Sequence, residues 1–158
     1  NCYMARKLQW GSQSTKDKFI FSAIAHDAFI HDHKCLSLID LPANKYLTES
    51  QTKKIHQHVL IAEKLADQFT HIPEVSYIIR QHHQIPDSRG FPYQMSPNKI
   101  NQVSALFIIV NHYVSEMLNR GNDTKNIRTI LKDMEKTYDS ITAFKPVFKS
   151  FIKSFKAQ

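Results

Sequence analysis

The chain has 158 residues, a formal net charge of +7 with its nine histidines counted as neutral, and 42% apolar residues. That length and apolar content suit one domain with a buried core and exclude general disorder. Three glycines and six prolines leave few breaks, which disfavours a many-turned β fold.

Two cysteines, Cys2 and Cys35, without a CxxC partner exclude a disulfide framework and fit a reducing compartment. No stretch approaches the roughly 20 apolar residues of a membrane span, and the start from Asn1 to Trp10 lacks a signal-peptide pattern. A cytoplasmic protein without a membrane span is therefore expected. The first residue is not Met, so residues 1–158 are expected to be the C-terminal part of a longer protein. The basic charge favours anionic ligands in general and does not choose among them.

In chain order, residues 2–10 read as the end of a helix stopped near Gly11, with residues 12–14 as a connection. Residues 16–30 carry Phe19, Ile20, Ala23, Ile24 and Ala28 at helical spacing, with Thr15 as N-cap. Residues 31–45 are polar and broken by Pro42, hence a loop. Thr48 opens the clearest helix, Gln51 completing a capping box. Ile55, Val59, Ala62, Leu65, Ala66 and Phe69 follow along one face.

Pro73 fits the first turn of another helix, which runs to about His83 through Val75, Ile78 and Ile79. Residues 85–97, with three prolines and one glycine, are too broken for regular structure. A long apolar helix covers about residues 99–118 and ends at Gly121. Asn122-Asp123-Thr124 caps a helix at about 125–138, and a last one spans about 143–156. With no strand-like alternation and no fixed-period repeat, an all-α bundle of six or seven helices is the expected fold.

The histidines carry the chemical signal. His26-Asp27 closes an apolar helical run, His58 lies in the next helix, and His82-His83 closes the one after. Imidazole nitrogens with carboxylate oxygens suit Zn, Fe, Mn or Ni, whereas Ca and Mg prefer oxygen shells. Adjacent helical residues point about 100° apart. One residue of a doublet can therefore serve a metal while its neighbour turns to a second ion or a support. The two oxygens of Asp27 can bridge two metals, and a pair about 3.5–4 Å apart activates water and neutralises phosphoryl charge. A lone doublet is weak evidence, and the bland reading of His58 is a half-buried histidine on an amphipathic helix. The three features together, on three helices of one small bundle, are more specific.

The run His82-His83-Gln84-Ile85-Pro86-Asp87-Ser88-Arg89-Gly90-Phe91-Pro92 resembles the HHExxDGxGYP signature of the HD-GYP family. In the same register, Leu47-Thr48 and Ile55-x-x-His58 are similar to that family's LT…IxxHP segment, and Ser22 to Asp27 to its ALLHD. Ile100, Ile108-Ile109-Val110 and Phe144-Lys145-Pro146-Val147 continue the likeness over nearly the whole chain. The resemblance implies an HD-domain-like helical bundle holding two divalent transition metal ions, most often iron, that hydrolyses cyclic di-GMP in bacterial signalling. It implies His26, Asp27, His58, His82, His83 and the position of Asn111 as metal ligands, with Asp27 bridging. The implied partners are cyclic di-GMP and a signalling protein, not DNA or RNA.

The chain also departs from that pattern. The family's HDxGK lysine falls on Ile30, its signature tyrosine on Phe91 and its last metal-binding aspartate on Asn111, whose neutral amide is a poorer ligand. The family's histidine on the preceding helix has no counterpart between Asn1 and Ala25. Lys34 or Lys45 can supply the missing cation, and Arg89 can grip a phosphate bidentately or be a solvated loop residue. Asp27, Lys34 and Arg89 are thus the catalytic candidates. His31-Asp32 is a rival HD pair, less favoured because it follows the break of its helix. His56 and His71 are expected to face solvent and His112 to be structural. The final helix, with Phe144, Val147, Phe148, Phe151, Ile152 and Phe155 among lysines, is expected to pack on the bundle rather than on a membrane or partner. A degenerate module that binds without turnover, and an HD phosphohydrolase for another nucleotide, remain as rival functions.

Overall fold

A computed structural model describes residues 12–30, 48–84 and 90–156. The described residues form six α-helices and one 3-10 turn, with no strand among them. This is the all-α bundle expected from the sequence. The first helix, α1 (Gln13–Ala25), is capped by Ser12, whose Oγ accepts the Thr15 N–H at 3.1 Å. Thr15 therefore lies inside the helix, because the Ser12 hydroxyl reaches the free amide first. The helix also ends at Ala25 rather than near residue 30. The His26 Nδ1 stands 3.1 Å from the carbonyls of both Ser22 and Ala23, closing the last turn with a side chain.

Helix α2 (Glu49–Ala66) begins at Thr48 with the full capping box: Thr48 Oγ1 accepts the Gln51 N–H, and Gln51 Oε1 accepts the Thr48 N–H at 2.9 Å. Phe69 falls beyond its end and packs on Phe21, ring centroids 4.6 Å apart. Helix α3 (Val75–Gln81) is only seven residues long. Pro73 is not in its first turn, because Glu74 intervenes in the left-handed region at φ 70°. An ion pair with Lys18 at 2.6 Å ties Glu74 to α1.

After a 3-10 turn at Pro97–Lys99, the extended Ile100 delays the start of α4 (Gln102–Arg120) to the Asn101 cap, beyond the expected residue 99. Gly121, at φ 86°, stops it where expected. Asp123 caps α5 (Thr124–Tyr138), and α6 (Lys145–Lys156) closes the described chain.

Residues 104–109 of α4 are buried without interruption, which puts the first half of this helix at the centre of the bundle. Helices α5 and α6 pack on it and on each other, around Phe107, Ile109, Ile130, Tyr138, Phe148 and Phe151. The apolar face of α6 is thus buried on the bundle, with Phe151 also against Tyr113 at 5.4 Å. A smaller cluster of Ala25, Ala62, Ala66, Val75 and Ile79 joins α1, α2 and α3. Short as it is, α3 touches α1, α2 and α4, so the residues at its C-terminal end emerge where all four meet. No helix among the described residues is long and apolar enough to cross a membrane.

Candidate metal centre

Four potential metal donors converge at that junction: Asp27, just past the end of α1, His58 of α2, and His82 and His83, just past the end of α3. One ligand atom from each lies within 4.8 Å of all the others. Asp27 Oδ1 is 3.4 Å from His58 Nε2, 3.5 Å from His82 Nε2 and 3.9 Å from His83 Nε2. Its other oxygen, Oδ2, lies 3.3 Å from His26 Nε2. The carboxylate is therefore divided between a three-histidine side and a His26 side.

The helices aim these rings by a local device. The Nδ1 of His58 bonds the carbonyl of Ile55, three residues back, and the Nδ1 of His82 bonds that of Ile79 at 2.6 Å. A carbonyl accepts only, so each Nδ1 carries the proton and each Nε2 presents a lone pair to the centre. His58 and His82 then point two lone pairs at each other across 3.4 Å. That arrangement is repulsive unless a positive charge lies between them. The three rings are shielded from bulk water, His58, His82 and His83 being 1%, 3% and 7% exposed.

Electrostatics lead the same way. Burial pushes the imidazole of His26 below its usual value, with Asp27 only partly opposing. Burial, reinforced by His82, holds His83 well below its own. Both are thus neutral and competent to ligate at neutral pH.

The donor set fits a transition metal. Asp27 Oδ1 and His83 Nε2 are buried without a hydrogen-bond partner, and separations of 3.4–3.9 Å are too long for ordinary hydrogen bonds. Ligands about 2.0–2.2 Å from one tetrahedral ion stand about 3.3–3.6 Å apart. The Asp27, His58 and His82 atoms match that spacing; His83 Nε2, 3.9 Å from Asp27 Oδ1, stands outside it, within the 4.8 Å that bounds the four donors.

Of the other sequence candidates, His26 packs edge-on against His82 at 5.2 Å and Phe107 at 5.4 Å. Asn111 is half-buried on α4, one turn beyond Phe107 and so on the same face. Lys34, Lys45, Arg89 and the rival pair His31-Asp32 lie outside the described residues. His71 is exposed, as expected. His112 bonds the Tyr138 hydroxyl at 2.9 Å, linking α4 to the end of α5.

Two residues were misjudged or missed. His56, expected to face solvent, is half-buried and stacks flat on Phe91, centroids 4.6 Å apart and 9° from parallel. The amphipathic pattern put it off the apolar face of α2, but the ring of Phe91 folds over it from a distant loop. Gln84, which the sequence offered only at the family's glutamate position, is fully buried. Its Nε2 donates to the Phe91 carbonyl at 2.7 Å and its Oε1 accepts the Met95 N–H at 2.8 Å. It thereby pins the loop beside the centre.

In comparisons with known proteins, no family model, no curated protein and no solved structure matches this chain.

Proposed function

We propose that this chain is a metal-dependent phosphodiesterase of the HD-GYP kind, acting on cyclic di-GMP as part of bacterial second-messenger signalling in the cytoplasm. The observation that carries the proposal is the convergence of Asp27, His58, His82 and His83. It brings together the HD, H and HH features in the order that resembles the family, with Gly90-Phe91-Pro92 following.

Asp27, His58, His82 and His83 would hold one ion, iron by preference and otherwise Mn, Zn or Ni. His26, Asp27 Oδ2 and the amide of Asn111 would serve a second, weaker position. A divalent ion so held supplies Lewis acidity toward water and neutralises charge on a phosphoryl group. The protein's own contribution is orientation and access. The Ile55 and Ile79 carbonyls fix two imidazoles, and burial keeps bulk water from the three-histidine side. The side chains of Asp27 and His26 are 29% and 16% exposed, so a phosphodiester approaches from their side. Lys34 and Arg89 are the candidate cations for its phosphates, and the net charge of +7 favours the approach of an anion.

A second reading is a module that binds cyclic di-GMP or a signalling protein without turnover. Ile30, Phe91 and Asn111 favour it, since each removes a charge or a hydroxyl from the family pattern.

The deciding experiment is elemental analysis of protein purified without a metal-binding tag, beside Asp27→Ala, followed by chromatography of cyclic di-GMP incubations. The enzyme reading expects about one to two equivalents of transition metal, lost in Asp27→Ala, together with a linear dinucleotide or GMP as product. Metal without product supports the binding module. No metal after anaerobic supply of iron and manganese defeats the enzyme.

A further inference from the structure

Among the histidines at the centre, His26, His58 and His82 each have Nδ1 against a backbone carbonyl. Among the described residues no such bond orients His83. The terminal torsion of a histidine is broad when nothing anchors the ring, yet the Nε2 of His83 faces Asp27 from within a buried site.

The ring of Phe91 lies on it, centroids 4.4 Å apart and 23° from parallel, and Phe91 in turn carries His56 at 4.6 Å and 9°. Offset stacks at these separations are favourable and fix the relative tilt of the rings. The middle member of the column is itself fixed. Its N–H donates to the His83 carbonyl at 3.3 Å, and its carbonyl is taken by the buried Gln84. At the far end His56 stands on α2, the same helix as His58.

We propose that Phe91 and His56 are positioning residues for the metal centre, an aromatic column that sets the plane of His83. The inference rests on the metal reading of the cluster and is independent of the substrate. It also gives the ring at the Gly90-Phe91-Pro92 turn a task that needs no hydroxyl.

Titration of the metal-free protein with cobalt(II), read by its visible ligand-field bands, tests the column through affinity and coordination geometry, without turnover. Loss of a residue that orients a ligand lowers metal affinity by roughly 10–100-fold. Phe91→Ala is expected to fall in that range with shifted bands, and His56→Ala to move in the same direction by less. Phe91→Tyr, which keeps the ring, restores wild-type behaviour; Phe91→Leu, which keeps only bulk, does not. Unchanged affinity and bands in Phe91→Ala overturn the inference, as does full restoration by Phe91→Leu. Circular dichroism of each metal-free variant checks folding. Should Phe91→Ala fail to fold, Phe91→Leu and His56→Ala decide in its place, and wild-type titrations from both overturn the column. A wild-type chain that takes up no transition metal defeats the metal reading itself, whereas tight wild-type binding with indifferent variants defeats the column alone.

Discussion

At the scale of single residues, the centre depends on groups that each do one directional job. Gln84 shows this most plainly, because its amide donates at one end and accepts at the other within a fully buried site. An ionised carboxylate has no donor, so Gln84→Glu leaves the Phe91 carbonyl facing a negative charge while keeping the bond from Met95. That variant is expected to lose about 1–3 kcal/mol of stability in urea unfolding, the penalty of an unmatched buried polar group. A wild-type midpoint would show that the Gln84 to Phe91 bond contributes nothing. Another such job falls to Glu63, 6% exposed, which accepts from Arg80 Nε at 2.6 Å and from the Tyr93 hydroxyl at 3.1 Å. It holds α2 to α3 and to the strand-free segment that follows Phe91.

At the scale of elements, α3 is too short to be helical alone, since an isolated helix below about 12–15 residues is marginal in water. Its packing on α1, α2 and α4 makes it one, and His82-His83 are placed by those contacts rather than by local propensity. Helix α2 is the opposite case, with its start written into Thr48 and Gln51. Thr48→Ala is expected to cost about 1 kcal/mol in thermal or urea unfolding. Metal uptake should stay as in the wild type, because His58 sits about three turns from the cap. A loss of metal uptake in that variant would mean that the first turn of α2 governs the site.

These two helices also mark what was legible in the sequence. The all-helical class, the Thr48 cap and the stop at Gly121 followed from period and caps, and the meeting of Asp27, His58, His82 and His83 is part of what the resemblance implied. The boundaries at Ser12 and Asn101 did not follow, because a cap is chosen by which side chain reaches a free amide first, and several neighbours qualify; the one at Glu74 is set by left-handed backbone with no capping side chain. The His56–Phe91–His83 column was hidden for a different reason. It joins a helix face to a loop far along the chain, and no local pattern encodes a contact of that span.

At the scale of the whole molecule, the two hydrophobic clusters are unequal. The larger, mostly on α4, α5 and α6 with Phe19 of α1 and Ile78 of α3 joined to it, is rich in phenylalanine, tyrosine and isoleucine, whereas the buried residues of the smaller are three alanines, Val75 and Ile79, with Phe21, Phe29 and Ile72 packed against them. Buried apolar area scales with stabilisation at about 25 cal/mol per Å², so among the described residues the smaller cluster, which joins α1, α2 and α3, contributes less than the larger. Hydrogen exchange of metal-free protein is expected to show α2 and α3 opening before α4. Transition metal at about 100 times its dissociation constant should then slow exchange in α2 and α3 by up to about 2.7 kcal/mol equivalent. Uniform protection, indifferent to metal, would contradict both the division and the site.

The donors come from three separate stretches of chain, ending at Asp27, passing through His58 and closing at His82-His83. An ion grasped by all of them would act as a clasp on α1, α2 and α3, the helices that share the smaller cluster. Scarcity of that ion would then shorten the protein's life as well as silence it, because proteases cut where a chain opens. The amount of protein in the cell would follow the supply of its metal.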